Sequence, residues 1–292
     1  MNPLRARASE LPPAIAEKHP WTEHIVLARP MAQVADDQTA LLRRESTVLF
    51  AYAANLGATD MNLHLGQTVT AIVVRSTGPD DRQKIAEQHV DAAARLLVLN
   101  TIPAAAAIMS IELPNEGRSV AGRTRFGIAP PPTLAAMATG ECAISEPVIL
   151  QSPPGDEPLP NEPDSALGRM SGTTRLHAGL KTIGVYWETY GFAPGDSVEI
   201  AIRVQRYTAQ SALEKVGIAL NMRGDKNAPV SLAWTEPQPG HASHVTAGSV
   251  PIVSRSIVLN IASLPKGDYW LDIGVRKNRQ EPVVGRRSFV VQ

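Results

Sequence analysis

The chain has 292 residues, 43% hydrophobic and 19% charged, with 28 Lys plus Arg balancing 28 Asp plus Glu for a formal net charge of zero. That length suits two domains of ordinary size, each with its own core, and the composition is globular rather than disordered. The charge balance lacks the basic excess with which a nucleic-acid binder neutralises phosphates, and no uninterrupted apolar run reaches the length of a membrane-spanning helix.

Aromatic residues are only 4%, so cores must be filled by Ala, Val, Ile and Leu, and the 24 prolines and 21 glycines suit a loop-rich β protein. Cys142 is the single cysteine, which rules out an intramolecular disulfide and a thiolate metal cluster. Its neighbours Ala143, Ile144 and Val148 read as core, so Cys142 is expected to be a small apolar residue. At the N-terminus Arg5 and Arg7 supply positive charge, but the apolar run at 11–15 is too short and too broken for a signal peptide. The expectation is either a cytoplasmic chain or a mature or excised piece of a longer one. The compartment stays open, periplasmic or extracellular if the parent chain is exported.

In chain order, residues 1–45 carry scattered prolines and no sustained period, reading as an extended arm with one short helix at 36–43. Strand-forming residues begin at 47–52, turn at 55–57 and resume at 63–75. Gly78-Pro79-Asp80 is a break, and 81–97 admits two readings. One is a helix capped by Asp80 or Asp81 with Ile85, Val90, Ala93 and Leu97 on its apolar side. The other is an irregular crossover leading into a strand at 95–100. Further strands are expected at 105–113, 123–128 and 141–150.

Residues 151–168 form a Pro-rich linker made acidic by Asp156, Glu157, Glu162 and Asp164. Beyond it, 182–190 and 197–207 read as a hairpin turning at 193–196, with Val198, Ile200, Ile202 and Val204 alternating against polar neighbours. Strands follow at 215–221, 230–235, 244–251 and 256–261. The chain closes with a hairpin in which Tyr269, Leu271, Ile273 and Val275 share one side, opposite Trp270, Asp272 and Gly274. The basic group Arg276, Lys277, Arg279, Arg286 and Arg287 reads as a solvated hairpin loop. Strands every ten to fifteen residues without alternating helices give an all-β fold class. The expected architecture is two consecutive immunoglobulin/fibronectin-III-like β-sandwich domains, at 46–150 and 169–292, with the arm before and the linker between them.

The stretch Val185-Tyr186-Trp187-Glu188-Thr189-Tyr190-Gly191, continued through Pro194-Gly195-Asp196-Ser197-Val198, resembles the C-terminal β-sandwich regions of bacterial envelope-associated proteins of the GWxTD-domain type. So do Ala143-Ile144-Ser145-Glu146 and the closing Leu264-Pro265-Lys266-Gly267-Asp268-Tyr269. In layout the likeness covers roughly 46–292. The Gly-Trp-x-Thr-Asp motif that names the family is absent, and no site residue is carried over. The resemblance implies an accessory β-sandwich region of an envelope or exported assembly.

Chemistry-bearing constellations are sparse. His241 and His244 form the one close histidine pair, with Glu236 as a distant third ligand; two ligands fall short of a metal site, and no metal or other cofactor is assigned. His89 beside Asp91, and His64 four residues after Asp60, have the makings of oriented bases but lack a nucleophile. Neither Ser119 nor Ser171 stands in a Gly-x-Ser-x-Gly turn, and phosphate-binding and Ca²⁺-binding loops are absent. No catalytic residue is assigned. Tyr186, Glu188 and Tyr190 share one face of a strand and are the ligand-binding candidates, a platform on which a sugar can stack. The alternative is that one face of this strand is core and the other an ordinary exposed strand face. The reading is a non-enzymatic structural or protein-interaction module whose protein partner is not identified. Its alternative is a carbohydrate-binding or hydrolytic accessory domain, with polysaccharide the ligand of that face.

Overall fold

A computed structural model describes residues 36–56, 68–78, 80–91, 95–115, 118–153, 157–207, 229–238, 250–277 and 280–292. The bulk of the arm, the strand expected at 215–221, most of that expected at 244–251, the Asp60 and His64 pair, and both His241 and His244 lie outside the described residues. Within them the chain is all-β. The first seven strands are β1 (Asp37–Arg43), β2 (Thr47–Asn55), β3 (Thr68–Ser76), β4 (Arg82–Asp91), β5 (Arg95–Pro103), β6 (Ala107–Asn115) and β7 (Arg118–Ile128). They are followed by β8 (Ala143–Ile144), β9 (Val148–Leu150), a short helix α1 (Pro163–Leu167), β10 (Arg175–Leu176), β11 (Thr182–Tyr190) and β12 (Ser197–Arg206). The series closes with β13 (Val230–Pro237), β14 (Ile252–Asn260), β15 (Gly267–Lys277) and β16 (Val283–Val291).

Four sheets result, in the orders β4-β3-β6-β7, β1-β2-β5, β14-β11-β8 with β9 also on β11, and β10-β16-β15-β12-β13. Hydrophobic clusters show how they stack. Val48, Phe50, Tyr52 and Ala54 of β2 pack with Val69, Ala71 and Val73 of β3 and with Met109 and Ile111 of β6. The opposite face of the same sheet, with Ala40, Leu42, Ala51 and Ala53, packs on Val148, Leu150, Leu167, Met170 and Tyr186. Val185 and Trp187 of β11 then face Val198, Ile200, Ile202 and Val204 of β12 and Leu271, Ile273 and Val275 of β15. The four sheets therefore form a stack in which the two middle layers are covered on both faces. That is why 47–54 and 183–190 read as near-continuous apolar runs instead of simple alternations.

Residues 37–43, expected as part of a short helix at 36–43, form a strand. Gln38, Ala40 and Leu42 point into the middle of the stack, and the whole strand pairs antiparallel with β2, from Asp37 opposite Ala54 to Arg43 opposite Val48. Tertiary burial of a period-two face overrides the modest helix propensity of this segment. The ambiguous stretch 81–97 resolves into β4 and the start of β5, which belong to different sheets, so the chain crosses between layers there. Residues 143–150, grouped with the first sandwich on sequence, pair with β11 instead.

The hairpin expected from 182–190 and 197–207 does not form. Both flanks of β11 are taken, by β14 on one side and by β8 and β9 on the other, and β12 lies in the facing sheet between β13 and β15. The connection is an arch across the core. Gly191 turns the chain at φ 81°, Phe192 is buried, and the Asp196 carboxylate accepts the Ala193 N–H at 2.7 Å. The closing hairpin forms as expected, β15 pairing with β16 from Gly267 opposite Val291 to Val275 opposite Val283.

A side chain at position 191 would collide with the Glu141 carbonyl oxygen, in a left-handed conformation that suits glycine. Gly191→Ala is expected to destabilise the fold by about 1–3 kcal/mol, read as a lower urea midpoint at unchanged slope.

Candidate functional site

β11 carries two sets of side chains. Val185 and Trp187 go to the core it shares with β12 and β15, so Tyr186, Glu188 and Tyr190 must point the other way, toward β1. All three are fully buried, each at 0% exposure. The Glu188 carboxylate accepts the Tyr186 hydroxyl at 2.7 Å on Oε1 and the Tyr190 hydroxyl at 2.8 Å on Oε2. Arg44, one residue past β1, closes the arrangement with a forked contact: Nη1 to Oε2 at 2.8 Å and Nη2 to Oε1 at 3.0 Å. The Glu188 backbone N–H donates to the Ser145 hydroxyl at 2.9 Å, and the Arg43 backbone N–H donates to the Tyr190 oxygen at 3.2 Å.

Burial pushes the Tyr186 and Tyr190 hydroxyls far above the ordinary tyrosine range, and the adjacent Glu188 charge pushes the same way. Burial acts to lower the Arg44 guanidinium, but the charge and hydrogen bonds of Glu188 outweigh it and hold Arg44 above its usual value. Arg44 therefore stays charged, and both hydroxyls stay protonated as donors.

Two further polar contacts cross the same junction. The Gln38 amide donates to the carbonyls of Ile149 at 2.9 Å and Ser171 at 3.0 Å, and its oxygen accepts the Ile149 N–H at 2.7 Å. Arg287 of β16 is 2% exposed and donates to the carbonyls of Pro147 at 2.7 Å and Thr39 at 2.9 Å, with Glu146 at 3.2 Å. Burial lowers Arg287, partly offset by Glu146, and burial raises the Glu146 carboxyl, opposed by Arg287. Arg287 is therefore not part of a solvated hairpin loop: it lies within β16, where its neighbour Arg286 pairs with Asp272 and Arg287 alternates inward.

The other candidates are not brought together. His89 is held by Thr70, with Nδ1 3.1 Å from its hydroxyl oxygen. Glu236, considered as a distant metal ligand, accepts from Arg255 at 2.6 Å and from the Trp234 indole at 2.8 Å. The Ser171 hydroxyl donates to the Thr173 carbonyl at 2.8 Å. Cys142 donates to the Gly191 carbonyl at 3.6 Å, and burial raises its thiol. Among the described residues no group of three or more His, Cys, Asp and Glu side chains is placed to hold a metal ion.

Tyr186, Glu188 and Tyr190 do share a face, but it lies between layers and offers no open platform for a sugar ring. The carboxylate that was to meet a ligand is already filled by Arg44. Sequence reasoning missed Arg44, yet a signal was present: a Glu set among aromatic strand residues requires a counterion. At the rim of this junction lies a cavity of about 180 Å³, bordered by Leu41, Arg43, Pro131, Ile144, Glu146 and Tyr190.

No family model matches the chain, and no curated protein matches it. Among solved structures, a red sea bream transglutaminase aligns over 92% of this chain and 32% of its own, at 10% identity and a TM-score of 0.24. A tetra-tandem repeat in the extending region of a large adhesion protein aligns over 88% of this chain and 49% of its own, at 11% identity and a TM-score of 0.23. The chain thus spans about a third and about half of these two.

Glu188→Ala strands a mostly buried guanidinium and two hydroxyls and is expected to cost about 3–5 kcal/mol, measured by chemical denaturation. The double change Arg44→Met with Glu188→Gln is expected to cost clearly less than Glu188→Ala, because no charge is left unpaired. The tyrosines set an alkaline limit. In the unfolded chain they ionise near the ordinary value of about 10, whereas the native hydroxyls stay protonated. Their contribution is present in full below that pH and is lost as pH rises above it. The melting temperature is expected to fall over that range, and Tyr186→Phe with Tyr190→Phe to flatten the fall while lowering stability at neutral pH.

Proposed function

We propose that this chain is a non-enzymatic structural or protein-interaction module that binds an extended polypeptide along a sheet flank that is unpaired among the described residues. Its all-β architecture is compatible with that role, because stacked sheets supply rigidity and leave strand edges at their sides. The observation that carries the reading is the flank formed by β13 and β14. Among the described residues β13 pairs with β12 alone and β14 with β11 alone. Arg255 of β14 reaches Glu236 of β13 at 2.6 Å, so the two edges stand side by side, one from each sheet.

Leu232 lies opposite Ile202 in register, on the inward-pointing face of β13, yet is 44% exposed. Val258 on β14 is 43% exposed. Apolar side chains at unpaired edges are what strand addition uses: backbone groups supply affinity, and alternate side chains supply specificity. The finer setting, a bacterial envelope or exported assembly, rests on the GWxTD-type resemblance of the sequence and belongs to the same proposal.

The test is affinity capture with the intact chain from lysate and envelope fractions, repeated with Leu232→Lys and Val258→Lys. One reproducible protein partner is expected, lost with the lysine variants while their melting temperatures stay within a few degrees of the parent. Capture unaffected by both changes would remove the flank from consideration. Retention only on cell-wall polysaccharide would replace the protein-interaction reading with carbohydrate recognition.

A further inference from the structure

An edge strand turns the backbone groups of every second residue outward, and on β14 these are the even-numbered residues. At the two ends of the strand the odd-numbered ones turn to the β11 side. The Ile261 N–H donates to the Lys181 carbonyl at 2.8 Å, and the Pro251 carbonyl accepts the Gly191 N–H at 3.0 Å. Ser256 is the middle residue of the nine in β14, yet its outward N–H is covered. It donates to the Asn161 side-chain oxygen at 2.7 Å. The Ser256 hydroxyl donates to the Pro160 carbonyl at 2.8 Å and lies 3.0 Å from the same Asn161 oxygen.

The cover comes from the Pro-rich segment between β9 and β10, which is anchored on both sides of Asn161. Leu159 is buried with Leu150 and Tyr186, against the bare backbone of Gly184, where any side chain would crowd it. Gly184 is the register partner of Val258, so Leu159 sets the segment down beside β14. On the other side Pro163 and Leu167 of α1 are buried, and Arg95 of β5 donates to the carbonyls of Gly168 at 2.7 Å and of Met170. Pro158, Pro160 and Pro163 carry no N–H. A segment so poor in donors closes an edge without presenting a new one in its place.

We propose that Pro160 and Asn161 are an edge cap that keeps β14 from pairing with β14 of a second copy of this chain. An antiparallel pair centred on Ser256 sets Ile252 against Asn260, Ser254 against Val258 and Arg255 against Ile257. No like charges are opposed, so the bare edge is self-complementary about a two-fold axis. The cap takes the central donor of that ladder. What remains beyond it, residues 258–260, is shorter than the about five or six residues of an ordinary strand. The flank proposed above then offers a strand-adding polypeptide the β13 edge, to which Val258 adds its side chain alone. On β13 the Gln238 N–H donates to the Asp196 carbonyl on the β12 side, so Ala233 and Thr235 turn their backbone groups outward. This last step rests on the reading of the flank; the cap does not.

The cap is tested on the intact chain by amide hydrogen exchange and sedimentation velocity, comparing the parent with Asn161→Ala and Asn161→Asp. Asn161 is exposed, so neither change empties a core. In Asn161→Ala the Ser256 amide is expected to exchange about tenfold faster, and a concentration-dependent dimer to form where the parent forms none. Asn161→Asp keeps the acceptor and is expected to behave as the parent does. Adding Val258→Lys to Asn161→Ala puts a charge on the bare edge and is expected to abolish the dimer while the exchange stays fast. Ala233→Pro and Thr235→Pro each remove an outward N–H that an edge strand can spare, and each is expected to abolish capture of the polypeptide. The cap is overturned if Ser256 exchanges alike in the parent and Asn161→Ala, if no dimer follows, or if the dimer survives Val258→Lys. Capture that survives both proline variants overturns the assignment to β13 and leaves the cap standing. Capture of nothing by the parent overturns the flank reading, and the exchange and sedimentation results still decide the cap.

Discussion

A carboxylate with no access to water must have its lone pairs occupied, and Glu188 meets that condition with donors from two different parts of the chain. Two hydroxyls come from its own strand, through Tyr186 and Tyr190, and a guanidinium fork comes from Arg44 beyond β1. Everything else in the stack has to be compatible with that contact. β1 must lie against β11 in one register, because a shift of one residue would turn Gln38, Ala40 and Leu42 away and bring their neighbours in. β8 must pass close enough for the Ser145 hydroxyl to take the Glu188 N–H.

The stack divides its forces by layer. The cores inside each pair of sheets are aliphatic and aromatic, with Phe50, Tyr52 and Phe126 in one and Trp187, Tyr269 and Phe289 in the other. The junction between the pairs packs Ala40, Ala51 and Ala53 against Leu150, Leu167 and Met170, and is threaded by Gln38, Arg44, Glu188 and Arg287. Apolar contact is tolerant of sliding, whereas forked and carbonyl-directed hydrogen bonds are not. The polar residues therefore define how the layers meet, and the apolar ones supply the driving force.

Much of this architecture was legible from period-two patterning. The face of Tyr269, Leu271, Ile273 and Val275 and that of Val198, Ile200, Ile202 and Val204 are core as read, since their alternation needs only one buried side. The strand at 37–43 was missed because its burial depends on β11, nearly 150 residues away, and no local period reveals a layer that arrives so late. The arch from β11 to β12 was missed for a related reason: a short turn between two strands looks the same whether they pair or face each other. At the junction, Tyr186, Glu188 and Tyr190 were correctly grouped on one face, but strand alternation does not say whether a second sheet covers that face. Arg287 looked like a surface charge, and Arg44 drew no reading at all, because burial of arginine is invisible until its carbonyl and carboxylate partners are in place.

The hydrogen bond from Arg287 to the Thr39 carbonyl joins residues 248 positions apart. Closing so long a loop is entropically slow, and it comes after the local hairpins have formed. On a growing polypeptide β1 and β2 emerge well before β11 and β16. The side bearing Ala40, Leu42, Ala51 and Ala53 stays bare for that interval, with Arg44 lacking its carboxylate. The half-synthesised chain is thus the form most exposed to self-association, and the order of translation is a hazard that the finished stack conceals.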